Sequence, residues 1–208
     1  MKRDFDTAAK TWDQNDARTR MSLAIADVMI ASLKLTGSET VLDYGTGTGN
    51  VALRFQPHVR RVIAADSSPG MLEVLDEKLK TTGVENVNTL QLDLEKDSVD
   101  PELHPDVIVS AMTLHHIANT GRIAHVLHAM LPSGGKIALA DLDTESGDFH
   151  SDNTGVEHFG FDREALSQAF VEAGFAQTFF QTAYEVTRPN DAGVQKTYPI
   201  FLLVARKP

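Results

Sequence analysis

Apolar residues between positions 17 and 35 (Met21, Ile25, Val28 and Met29) recur at helical spacing, and Thr36, Gly37 and Ser38 end the run. The pattern then changes period. Val41 and Leu42 form a short buried strand, Gly45, Gly47 and Gly49 a turn, and Val51, Ala52 and Leu53 the start of a second helix. Residues 61–65 form another apolar strand closed by Asp66. Ser68 has the chemistry of a helix N-cap and Pro69 that of a first helical residue, with Met71, Leu75 and Leu79 along one face. Residues 87–92 predict a third strand and 106–110 a fourth. Ile123, Val126, Leu127, Met130 and Leu131 stripe a helix that Pro132, Gly134 and Gly135 terminate. Residues 136–140 are a fifth strand, and 162–173 a helix with Leu166, Ala169 and Phe170 inward and Gly174 at its end. Strands alternating with helices imply a parallel sheet covered on both faces. The end of the chain departs from this. Two β-rich runs, 176–187 and 197–205, are joined by 188–193 with no helix between them, so they should pair antiparallel. The expected fold is α/β: a doubly wound, mostly parallel seven-stranded sheet with a C-terminal antiparallel hairpin.

At 208 residues the chain suits a single domain over 1–208, with 1–35 as an N-terminal arm and helix and 141–160 as a long loop. Its 19 basic and 29 acidic residues give a net charge of −10, a poor match for a nucleic acid. The absence of cysteine removes disulfides, thiolate nucleophiles and cysteine metal sites. Residues 1–10 are charged and lack the apolar core of a signal peptide, and no apolar run reaches membrane-spanning length, so the expected compartment is the cytoplasm.

The glycine turn separates two cofactors. A dinucleotide fingerprint needs G-x-G-x-x-G, whereas the third glycine here arrives one residue early and Asn50 stands where that pattern requires glycine. Residues 41–49 instead resemble the first motif of class I S-adenosylmethionine-dependent methyltransferases, hydrophobic-Leu-Asp-x-Gly-x-Gly-x-Gly. A parallel sheet finished by a hairpin is also that family's fold, so the resemblance runs from about residue 17 to the end.

In open α/β sheets the ligand lies beyond the carboxyl ends of the strands, where the strand order reverses. Past the first strand come Asp43, Gly45, Thr46, Gly47 and Gly49; past the second, Asp66 and Ser67; past the third, Asp93 and Leu94; past the fourth, Ser110. The resemblance implies S-adenosyl-L-methionine as cofactor and S-adenosyl-L-homocysteine as product. It places Asp43 and the Gly45 backbone at the amino-acid end and Asp66 on the ribose. Asp66 suits two adjacent hydroxyls because both carboxylate oxygens accept; the alternative is a turn or helix-start acid. By the same resemblance Asp93 accepts from the adenine amino group, beside Leu92 and Leu94. Met71 belongs either on the adenine or in the core.

Methyl transfer from a sulfonium demands alignment and exclusion of water before it demands a base. Residues 110–117 resemble the histidine-bearing segment that small-molecule methyltransferases place beside the methyl group. They lack the Asn/Asp-Pro-Pro-aromatic motif of nucleic-acid and glutamine methyltransferases. His115 and His116 are therefore the candidate bases, with the alternative that one of them holds the loop by bonding backbone. His125 and His128 fall on the solvated face of their helix. The 141–160 loop reads as a lid over the acceptor or as a mobile surface loop. Asp141, Asp143 and His150 offer a metal set, but the fourth strand ends in Ser110 rather than a carboxylate, and no metal is expected. Residues 5–13, with the sole tryptophan Trp12, resemble the lead segment of ubiquinone- and menaquinone-type methyltransferases, where an aromatic arm covers the cofactor. The leading expectation is methyl transfer to a small-molecule acceptor through oxygen, nitrogen or carbon. The alternatives are a non-catalytic S-adenosylmethionine-binding regulator or partner subunit and an NAD-dependent reductase, the latter disfavoured by the missing Tyr-x-x-x-Lys.

Overall fold

The computed structural model of the protein describes residues 4–189 and 193–208. The order is α1 (Phe5–Ala9), α2 (Asp16–Leu33), β1 (Thr40–Tyr44), α3 (Asn50–Phe55), β2 (Arg61–Asp66), α4 (Pro69–Thr82), β3 (Val87–Gln91), β4 (Val107–Ala111), α5 (Thr120–Met130), β5 (Lys136–Leu142), α6 (Arg163–Glu172), β6 (Ala176–Pro189) and β7 (Gln195–Arg206). Short polar side chains start the helices. Asn15, Ser68, Asn119 and Asp162 each accept a first-turn backbone N–H, and Pro69 follows its cap where no N–H is needed.

One seven-stranded sheet runs in the order β3-β2-β1-β4-β5-β7-β6. β1 to β5 are parallel; β7 is antiparallel to β5 and to β6. Alternation along β1 shows how the faces divide: Val41 packs with Ile25, Met29, Phe55 and Leu75 from α2, α3 and α4, whereas Leu42 packs with Ile123, Leu127 and Phe170 from α5 and α6. The strand order reverses between β1 and β4, so the crevice at their carboxyl ends is the natural ligand position.

Two boundaries differ from expectation. β5 continues through Asp141 and Leu142, and Asp143 then bridges to Phe161, so the loop proper covers 144–160. β6 runs on to Pro189, while 190–192, part of the expected 188–193 connection, lie outside the described residues, as do 1–3. Pro189 is tolerated because β6 is the edge strand. His128 is also not simply solvated: it is half-buried, with its ring 5.1 Å from that of Phe175 and against Gly174. No helix among the described residues is long and apolar enough to cross a membrane.

Candidate functional site

The glycine turn is shaped by what presses on it. Gly45 (φ +73°) has its N–H on the Ala65 carbonyl at 2.8 Å, and a Cβ there would stand 2.3 Å from Thr113 Oγ1. Thr113 lies just past β4, so the absent side chain lets the β1 and β4 ends close on each other. A Cβ at Gly47 would meet nothing within 4 Å. Gly47 N–H donates to Asp66 Oδ2 at 2.8 Å, which ties the first strand-end loop to the second.

Three acids rim the crevice. Asp43 is buried; its Oδ2 accepts from Thr46 Oγ1 at 2.6 Å, while Oδ1 has no partner among the described residues. Burial pushes its carboxyl up to about 7, with the Asp66 charge adding to the effect and the Thr46 hydroxyl opposing it. Burial likewise raises Asp66, against backbone N–H donors from Ser68, Gly47 and Ser67. Asp93 pairs with Lys96 and accepts from the Glu95 N–H.

These residues line one cavity of about 1200 Å³. Its wall includes the sequence-predicted Asp43, Gly45, Thr46, Gly47, Asp66, Ser67, Met71, Asp93, His115 and His116. Three predicted residues are absent from that wall. Gly49 caps α3 (φ +84°), where a Cβ would strike Leu75 at 2.3 Å, so it serves packing. Leu94, in the turn after β3, is buried in the hydrophobic core, and its N–H donates to Tyr44 Oη at 3.3 Å. Ser110 is buried and donates to the Tyr44 carbonyl at 2.6 Å, joining β4 to β1. Met71 is both fully buried and part of the wall.

At the other end the two histidines have different partners. His115, 1% exposed, has Nδ1 at 2.7 Å from Asp141 Oδ1, and its backbone N–H donates to Oδ2 at 3.1 Å. Burial alone would raise Asp141, but the His115 ring and the N–H donors of His115 and Leu142 hold it below the usual carboxylate range. His116 Nδ1 lies 2.7 Å from the Gly155 carbonyl, which fastens the 144–160 loop. The loop also donates the Glu157 and His158 N–H groups to the His115 carbonyl and brings the His150 ring to 5.0 Å from His115. Asp141, Asp143 and His150 do not form a ligand set: Asp141 serves His115, and Asp143 is bound by the Arg163 guanidinium through two 2.7 Å contacts. No group of three metal-ligating side chains occurs among the described residues.

Sequence reasoning missed how the arm is held. Asp6 Oδ1 accepts from Ser68 Oγ (2.5 Å) and Gly70 N–H (2.9 Å) at the start of α4. Asp13 binds Thr48 Oγ1 (2.8 Å), Asn50 Nδ2 (3.0 Å) and Lys78 Nζ (2.8 Å). Phe5 and Trp12 thereby line the cavity, with their rings 5.9 Å apart. Phe149 of the long loop also lines the cavity, as do Tyr184 and Arg188 of β6, and the β6 contribution is one that no local sequence signal announces.

Known proteins agree with this architecture. The family described as a methyltransferase domain matches residues 15–178. An uncharacterized methyltransferase of Schizosaccharomyces pombe is 26% identical over 66% of this chain and 53% of its own length. The ubiquinone/menaquinone biosynthesis C-methyltransferase of Coxiella burnetii is 29% identical over 66% of this chain and 57% of its own. The chain thus spans little more than half the length of these two curated relatives. Among solved structures, Haemonchus contortus phosphoethanolamine N-methyltransferase 2 in complex with S-adenosyl-L-methionine superposes with a TM-score of 0.71 at 16% identity, over 88% of this chain and 52% of that one. With the matched segment covering most of its length, the chain belongs to the methyltransferase-domain family.

Proposed function

We propose that the protein transfers the methyl group of S-adenosyl-L-methionine to a small-molecule acceptor. The observation that carries this reading is the row of acids at three adjacent strand ends, Asp43, Asp66 and Asp93, around one cavity. The bound cofactor would supply an electrophilic methyl group on a cationic sulfur. The residues fit such a ligand. The unpartnered, buried Asp43 Oδ1 is an acceptor for its ammonium end, and the open space at Gly47 leaves room for backbone contact. Asp66 is placed for ribose hydroxyls and Asp93 for the adenine amino group, with Met71 beside them. A pyrophosphate fits badly, since it would meet the buried Asp43 carboxylate, the half-buried Asp66 carboxylate and a Gly47 N–H already committed to Asp66. The cavity exceeds the roughly 300–1,000 Å³ usual for one ligand, and its histidine end, remote from the glycine turn in sequence, leaves space for an acceptor. The net charge of −10 weighs against a nucleic-acid acceptor.

Calorimetry and thermal shift with S-adenosylmethionine, S-adenosylhomocysteine and NAD test the reading. Both adenosyl compounds should bind at micromolar concentrations and raise the melting temperature, and NAD should do neither. Binding of NAD alone would replace the proposal with a reductase. A protein that binds the adenosyl compounds but methylates nothing in a metabolite mixture would be the non-catalytic regulator.

A further inference from the structure

The His115–Asp141 pair goes beyond what the cofactor needs. Asp141 is fully buried on β5, separated by β4 from the strand that leads into the glycine turn, and its two oxygens take three donors: His115 Nδ1, the His115 backbone N–H and the Leu142 N–H (2.8 Å). A carboxylate only accepts, so His115 Nδ1 carries a proton, and in the neutral ring, the form a general base requires, Nε2 holds the lone pair. That Nε2 is buried and has no partner among the described residues. Leaving a buried polar atom unmatched works against folding, and a group kept in that state beside a second buried charge is suited to chemistry. The side chains facing the ring are Asp141 from β5, His116 in the same turn (4.1 Å between rings) and His150 from the 144–160 loop. His115 also lines the cavity.

We propose that His115 is the general base of the reaction, that Asp141 is its positioning residue, and that the acceptor is a phenol or enol. The inference rests on the methyltransferase reading above. An aliphatic amine must shed its ammonium proton, but it can do so to water before the methyl step and then attacks with a free lone pair, and a thiol ionises readily near neutrality. A hydroxyl on an unsaturated carbon is weakly acidic and becomes a strong nucleophile only as its proton leaves. In the step, the acceptor O–H proton passes to His115 Nε2 as the oxygen, or the conjugated carbon, forms the new bond to the methyl carbon. The sulfur–methyl bond breaks, sulfur keeps that electron pair as a neutral thioether, and Asp141 stabilises the imidazolium. Because His150 covers the ring, the acceptor reaches Nε2 only after the loop shifts, which keeps the base dry beforehand.

The experiment compares two phenol probes, 2-naphthol and 4-nitrophenol, with methyl-labelled S-adenosylmethionine at pH 8.5, where the second is already ionised. His115→Asn keeps a donor toward Asp141 and removes the base. It should lower transfer to 2-naphthol about 100-fold or more while leaving transfer to 4-nitrophenol within about threefold. Asp141→Asn, whose amide N–H can face Nδ1, should move the proton to Nε2. Long-range proton–nitrogen spectra should show the tautomer change, and 2-naphthol transfer should fall with it. Equal losses on both probes would mean a structural role, and unchanged rates in His115→Asn would remove the base. Both overturn the inference, as does failure of the wild type to methylate either probe. Calorimetry on the same preparations separates the two levels: intact cofactor binding with any of these results sinks this inference alone, whereas loss of cofactor binding in the wild type sinks the reading beneath it.

Discussion

The buried Asp43 has electrostatic consequences of definite sign. Its folded-state carboxyl titrates at about 7, against about 3.9 in an unfolded chain, so folding takes up a proton between those values. Asp43's contribution to stability is therefore full below about pH 4 and declines as pH rises toward 7, by about 4 kcal/mol in all. Denaturation at pH 5 and pH 8 should show this decline in the wild type and a much smaller one in Asp43→Asn. An identical slope in the variant would assign the effect elsewhere. A ligand ammonium at Asp43 favours the ionised form, so affinity for S-adenosylmethionine should rise with pH up to about 7, approaching tenfold per unit below that value, and Asp43→Asn should flatten the curve. Gly45→Ala tests close approach rather than charge: its Cβ would overlap the Thr113 side chain at positive φ, for a loss of about 1–3 kcal/mol in denaturant unfolding. Residues of this kind are visible in the sequence because each sits where a strand ends, and the structure brings Asp43, Gly45, Gly47, Asp66 and Asp93 to one cavity while Gly49 packs on Leu75. Leu94 and Ser110 were misread for the complementary reason. Each neighbours a cavity residue in sequence: the two-residue period of β4 turns Ser110 toward the Tyr44 carbonyl, whereas Leu94 lies in the turn after β3, where its backbone N–H donates to Tyr44 Oη and its side chain enters the core.

Elements were legible wherever the signal was local. The Ser68–Pro69 start of α4 and the 3.6-residue stripe of α5 stand where their capping and spacing require. The β5 boundary was not, because a buried Asp141 is tolerable only through His115, 26 positions away, and no window along the chain contains both. The docking of the arm is hidden in the same way: Asp6 and Asp13 bind groups between 35 and 65 positions downstream. Only Ala9 is fully buried between residues 4 and 14, so the arm adds little to the core. Its contribution falls on the ligand, since Phe5 and Trp12 line the cavity. Deleting residues 1–14 should raise the dissociation constant for S-adenosylmethionine about tenfold, a change of about 1.4 kcal/mol, and leave the denaturant midpoint nearly unmoved. Equal affinity in the shortened protein, measured by calorimetry, would reduce the arm to decoration. Asp13→Ala, which frees the arm without deleting it, should reproduce most of the loss.

Across the molecule, the two covers of the cavity meet at His116. Its ring is 5.2 Å from Phe5 of the arm, and its Nδ1 is bonded to Gly155 of the 144–160 loop. The arm is anchored on α4 beside Asp66 and the loop on the turn that follows β4, so the two segments that border the cavity share the His116 side chain between them. A ligand that holds one cover in place should therefore hold the other, provided His116 transmits the constraint. Hydrogen exchange measures this directly. S-adenosylhomocysteine should slow exchange in 144–160 about fivefold or more, the lower end of ordinary site-to-site coupling, although the glycine turn and the three strand-end acids all lie outside that loop. His116→Ala should abolish the protection in the loop while preserving it at 45–49, because the cofactor's own contacts are untouched. Protection confined to 45–49 in the wild type would show that the covers move independently, and that the acceptor finds its way in without regard to the cofactor. If the coupling holds, acceptor binding should in turn tighten the cofactor by the same factor, since linkage between two sites is reciprocal.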